Sequence, residues 1–207
     1  DAYSGADKQV LLDLSMKNFE KGLKMNPTFV TAYYKLGHVY NQVGNIDKAI
    51  ETYEKLDSYF PHYSEIHLNL GIMYSVKAEQ LPADQRLAMM EKAYVQIKEA
   101  ARQELKPNVQ SIAGMIGERL ARLYESRGEK EKALKVYEEI KPYYRTIVEY
   151  EPVLEEYRQE KKKHYEEAQQ NLLGLATVTG RIKETEKVLA TMYREHPDDP
   201  SYLSKLM

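Results

Sequence analysis

The sequence has no cysteine and no tryptophan, and eight prolines with ten glycines among 207 residues are too few for a low-complexity or collagen-like chain. Without cysteine there is no disulfide and no thiolate zinc site, and the redox compartment stays open. A surplus of either charge is missing too: 30 basic residues stand against 32 acidic ones, a net charge of −2. A nucleic-acid binder or a polybasic membrane binder would carry a basic excess, so neither fits. No apolar run is long enough to span a bilayer, and no direct membrane insertion of this segment is expected. Neither GxGxxG nor GxxxxGK[ST] occurs, and His38, His62, His67, His164 and His196 form no HExxH pair. The acidic pairs Glu138-Glu139 and Glu155-Glu156 fall on helix faces expected to be solvated. No catalytic residue, metal site or cofactor is therefore expected, and the chain reads as a non-enzyme.

What is present is a 43% hydrophobic fraction, ample for a core, and 18 tyrosines. From Val30 to Pro61 the apolar residues fall at helical spacing: Tyr33, Leu36, Gly37 and Tyr40, then Ala49, Tyr53 and Leu56. Between the two runs stand Gly44, a helix terminator, and Asn45, an N-cap. Two short amphipathic helices joined by a tight turn cannot bury their apolar faces alone and need neighbours of the same kind. Those neighbours are found at a step of 34: Leu70, Gly71 and Tyr74 ahead, and Ser15, Phe19, Gly22 and Pro27 behind.

This period and these residues resemble the tetratricopeptide repeat (TPR) family, with Tyr33 in place of that family's tryptophan. The resemblance implies an all-α fold, a TPR-type superhelical solenoid of antiparallel helix hairpins. The chain is expected to form a single array over 1–207: a half repeat at 7–27, repeats at about 30–63, 64–107, 114–147 and 152–197, and the start of a further helix at 200–207. Asp7 is expected to cap the first helix, with Val10, Leu11, Leu14, Phe19 and Leu23 on its apolar side. Two hairpins are lengthened by insertions. One insertion, of about ten residues, lies between Lys77 and Lys92, with a helix restarting at Pro82; the other makes one long helix from about Pro152 to Thr177. The run from Lys161 to Lys163 reads as a solvated face. Leu173 occupies a place where the other repeats have Gly37, Gly71 or Ala121, so the last hairpin is expected to pack differently or slip by one residue.

The family places the first helix of each hairpin on a concave surface. The matching positions here are Thr31, Tyr34, Lys35, His38 and Asn41, then Asn69 and Ile72, then Met115, Glu118, Arg119 and Arg122. Mixed aromatic, amide, apolar and charged side chains suit an extended or helical peptide. A family clamp for the C-terminal carboxylate of chaperones is not expected, because Tyr34, His38 and Met115 depart from its pattern and only Asn69 and Arg119 fit. The reading is a protein–protein interaction scaffold that binds a protein or peptide partner. Its alternatives are an accessory domain of a larger bacterial membrane enzyme, such as a polysaccharide polymerase, ligase or glycosyltransferase, and self-association. The segment reads as a soluble domain, cytoplasmic or extracytoplasmic, of a larger protein.

Overall fold

A computed structural model describes residues 5–149 and 155–196, in which all regular structure is helical. The helices are α1 (Gly5–Met25), α2 (Val30–Gln42), α3 (Ile46–Tyr59), α4 (Ser64–Gln80), α5 (Ala83–Gln103), α6 (Pro107–Ser126), α7 (Lys130–Glu149), α8 (Glu155–Val178) and α9 (Ile182–Glu195). They fall into two compact units, residues 1–103 and 104–207. In each, consecutive helices pack as antiparallel neighbours, the arrangement of a short TPR solenoid.

One turn is used three times. Gly44 closes α2 at φ 75°, a conformation that only glycine adopts without steric cost. Its N–H donates to the Asn41 carbonyl at 3.0 Å and the Asn45 N–H to the Tyr40 carbonyl at 2.9 Å. Gly128 and Gly180 repeat both the angle and the bonding pattern after α6 and α8. Asn45 then caps α3, its side-chain oxygen accepting from the Lys48 N–H at 3.2 Å.

In the first unit the core is built from Leu36, Ala49, Tyr53, Leu56, Ile66, Leu70, Ala93 and Ile97, all under a tenth exposed. Burying a side chain of the leucine or isoleucine class contributes roughly 1.5–3 kcal/mol. Absent side chains let these helices close up. A Cβ at Gly37 would stand 2.6 Å from the Tyr53 ring, and one at Gly71 would meet the Ile97 side chain and the Ala93 carbonyl at 3.0 and 3.2 Å. The second unit uses the same device seven residues earlier on α6 and seven later on α7, where the missing Cβ of Gly114 admits the ring of Tyr144. That extension lets α6 and α7 run to 20 residues each while α2 and α3 stop at 13 and 14.

Several expectations need correction or refinement. The first helix begins at Gly5, so Asp7 lies inside it rather than capping it. Val10, Leu11 and Leu14 are 66%, 47% and 54% exposed, because the second helix that covers α1 meets it farther along, as the bond from Tyr40 to Glu20 shows. Pro82 precedes α5, its carbonyl accepting from the Gln85 and Arg86 N–H groups, and α4 and α5 are long at 17 and 21 residues. Leu172, Ala168 and Ala176 are buried while Leu173 is half-buried, so the register in α8 holds. The expected helix start at Pro152, the repeat end at Pro197 and the further helix at 200–207 lie outside the described residues.

Candidate functional site

The first unit carries Thr31, Tyr34, Lys35, His38 and Asn41 on α2, with Asn69 and Ile72 on α4. Their exposure follows from helical spacing, since Ala32, Tyr33, Leu36, Val39 and Tyr40 take the buried side of α2. Thr31, Lys35 and His38 are exposed, and Tyr34, Asn41, Asn69 and Ile72 are half-buried. Tyr34 is held by aromatic neighbours: its ring centroid lies 6.1 Å from Tyr53 on α3 and 6.2 Å from Tyr63 at the entry to α4. The amide of Asn69 donates to the Glu65 carbonyl one turn earlier at 2.7 Å.

In the second unit α6 holds Met115, Glu118, Arg119 and Arg122. Met115, Arg119 and Arg122 are exposed, Met115 at 37%. Glu118 is not: it is 8% exposed and accepts the Tyr144 hydroxyl at 2.8 Å. Arg122 Nη2 lies 4.0 Å and His164 Nδ1 3.7 Å from the same carboxylate, and the His164 ring stacks on Tyr144 at 5.7 Å. Burial raises the Tyr144 pKa far above the usual phenol value, and the Glu118 charge and hydrogen bond add to it. Glu118 thus links α6 to α7 and α8 and is largely closed to solvent. Sequence spacing could not reveal this, because the donor lies 26 residues away on another helix.

His67, the other internal histidine, sits where Tyr33 stands one repeat earlier, and both reach the carbonyl of the preceding repeat's closing proline. Tyr33 donates to Pro27 at 3.1 Å, and His67 Nε2 lies 2.9 Å from the Pro61 oxygen, with Nδ1 2.7 Å from Gln96. The ring is therefore a seam element. Among the described residues no group of three or more His, Asp or Glu side chains stands together as a metal site, and no helix is long and apolar enough to cross a membrane. A cavity of about 660 Å³ lies elsewhere in the second unit, among α7, α8 and α9.

Two segments match family models described as tetratricopeptide repeat: residues 30–63, which hold α2 and α3, and residues 118–140, which hold the turn of the α6–α7 hairpin. No curated protein matches the chain. Among solved structures it is similar to a thermophilic TPR protein of Thermus thermophilus, at 20% identity and a TM-score of 0.50 over 98% of this chain and 93% of that one. It is also similar to MamA, at 22% identity and a TM-score of 0.45 over 86% and 99% of the two chains. A third similar structure is pilF of Pseudomonas aeruginosa, at 14% identity and a TM-score of 0.43 over 97% and 91%. The chain thus carries tetratricopeptide repeats, the general build of a protein-interaction scaffold, and its all-α fold is theirs.

Proposed function

We propose that the chain is a non-enzymatic scaffold whose first helices receive a peptide segment of a partner protein. The observation that carries this reading is the division of α2 and α6 into a sealed side and an open, chemically mixed side. On α2 the open side offers Lys35, His38 and Asn41 beside the edge of Tyr34; on α6 it offers Met115, Arg119 and Arg122. Main-chain groups of an extended or helical peptide would meet amide and cationic partners on either surface, and its apolar anchors would meet Tyr34 and Ile72 on the first unit or Met115 on the second. Glu118 is excluded from this set because Tyr144 occupies it.

The test is affinity capture with the parent chain, a Tyr34→Ala, Asn69→Ala, Arg122→Ala variant and a Lys35→Ala, Arg122→Ala variant that touches only exposed side chains. A protein retained by the parent and lost from both variants, with helical circular dichroism unchanged in the second, supports the reading. Equal capture by all three removes it.

A second reading, that copies of the chain associate, rests on α1, where Val10, Leu11 and Leu14 present an apolar strip to solvent. Light scattering over a concentration series decides it, since a monomeric mass at the highest concentration would dismiss association.

A further inference from the structure

His67 occupies the place on α4 that Tyr33 holds on α2, one period of 34 residues earlier. The tyrosine fills that place with one donor, its hydroxyl bonded to the Pro27 carbonyl at 3.1 Å. The histidine brings two ring nitrogens and is 7% exposed, so both depend on the protein for partners. Nε2 stands 2.9 Å from the Pro61 carbonyl oxygen. A carbonyl oxygen only accepts, so Nε2 carries a proton. Nδ1 stands 2.7 Å from Oε1 of Gln96 on α5, a second acceptor. A neutral imidazole has one N–H and serves one of these oxygens, whereas an imidazolium serves both.

The charges beside the ring have the matching sign. From α3, Asp57 brings Oδ1 to 3.9 Å from Nδ1. That oxygen is shut off from solvent and accepts no hydrogen bond among the described residues. A carboxylate oxygen in such a place is costly unless positive charge stands near it. Among the described residues His67 is the basic group within ion-pair reach of Asp57. From α5, Glu99 lies one turn beyond Gln96. Bonds from Arg102 and Gln103 hold its carboxyl below the usual carboxylate range, and a charge on His67 adds to this. Arg102 is thus paired with Glu99, at 2.6 Å, and Glu54 of α3 is taken by the hydroxyl of Tyr74 on α4.

From this geometry we infer that the seam of α3, α4 and α5 is proton-dependent, with His67 bound as an imidazolium that donates to Pro61 and Gln96 beside the Asp57 carboxylate. When the ring gives up its Nδ1 proton, a lone pair faces the Gln96 oxygen and Asp57 loses its counter-charge. The hold of α4 on α5 weakens at that point. In the unfolded chain the ring has only water around it, so protons favour the folded seam. Its stability is fullest in mildly acidic solution and declines as rising pH removes the proton. The seam is separate from the peptide-binding surface proposed above and stands or falls without it.

The test is nuclear magnetic resonance of the ring nitrogens in the whole chain, with urea unfolding beside it. The His67 ring should keep both N–H groups at a pH where free histidine has lost one, its signals assigned by their absence from His67→Tyr. Asp57→Asn keeps the shape of that side chain and removes its charge, and the second N–H should then be lost at lower pH. From about pH 5.5 to about pH 8.5 the folded-to-unfolded ratio of the parent should fall about tenfold more than that of His67→Tyr, the scale of one hydrogen bond to a charged group. The tyrosine repeats the phenol of the preceding repeat and keeps a donor for the Pro61 carbonyl. If that variant does not fold, the parent ring signals and the Asp57→Asn shift decide. A His67 ring that loses its second N–H along with free histidine would mean a neutral ring facing a turned Gln96 amide, and overturns the inference. So does an Asp57→Asn chain that gives up the second N–H at the parent's pH, or an equal pH response of the parent and His67→Tyr.

Discussion

At the scale of single residues, the two kinds of helical glycine make opposite predictions. Gly37→Ala gains about 1 kcal/mol of helix propensity, but its new Cβ would lie 2.6 Å from the Tyr53 ring. Tyr53 is 3% exposed and wedged against Tyr34, so it cannot swing aside, and overpacking costs about 1–3 kcal/mol. A net loss of about 1 kcal/mol is expected in urea unfolding. Gly174→Ala meets nothing within 4 Å and should stabilise by about 0.5–1 kcal/mol in the same assay.

The buried phenols set an alkaline limit. Burial pushes Tyr53 up to about 12, with Glu65 adding to it, and burial together with the Glu195 hydrogen bond does the same for Tyr165. A phenol whose folded pKa lies above its unfolded value near 10 contributes stability that is complete below pH 10 and is lost as pH rises through 12. Tyrosinate absorbance should therefore rise late and together with loss of helical circular dichroism. A full rise by pH 11 in a chain still folded would contradict this.

At the scale of elements, the seams between consecutive repeats in the first unit share two bonds at a 34-residue step. Tyr40 donates to Glu20 and Tyr74 to Glu54, each at 2.5 Å, and Tyr33 and His67 each reach the preceding proline carbonyl. A phenol bonded to a carboxylate contributes more than a neutral pair, so Tyr74→Phe should cost about 1.5 kcal/mol in urea unfolding. Glu54→Gln keeps an acceptor in place and should cost less; equal losses would mean that the charge of the carboxylate, and not merely an acceptor, makes the bond.

The turn glycines, the small seam residues and the helix pairs were legible in the sequence because each is dictated by local sterics repeated at a fixed period. The extended seam of Gly114 and Tyr144 was not, since it lies beyond the 34-residue pattern and only the paired lengthening of α6 and α7 creates it. The outward positions of α2 were reached through the resemblance to the family, and Thr31, Lys35 and His38 among them are exposed. The burial of Glu118 depends on a tyrosine 26 residues on.

At the scale of the whole molecule, stacked hairpins gain stability mainly from their immediate neighbours, so damage to one seam should spread little. Gly114→Val tests this. The branched side chain has to displace the Tyr144 ring, which is fully buried, and with it the hydroxyl that satisfies Glu118. Overpacking and a buried carboxylate left without its donor together cost several kcal/mol, on the order of 2–5. Native-state hydrogen exchange should show the largest loss of protection in α6 and α7 and a smaller one in α8, whose His164 rests on Tyr144. Protection in α2 and α3, which belong to the other compact unit, should be unchanged. Uniform loss across all helices would mean that the chain opens as one cooperative body, and the repeat-by-repeat energetics would then have to be abandoned.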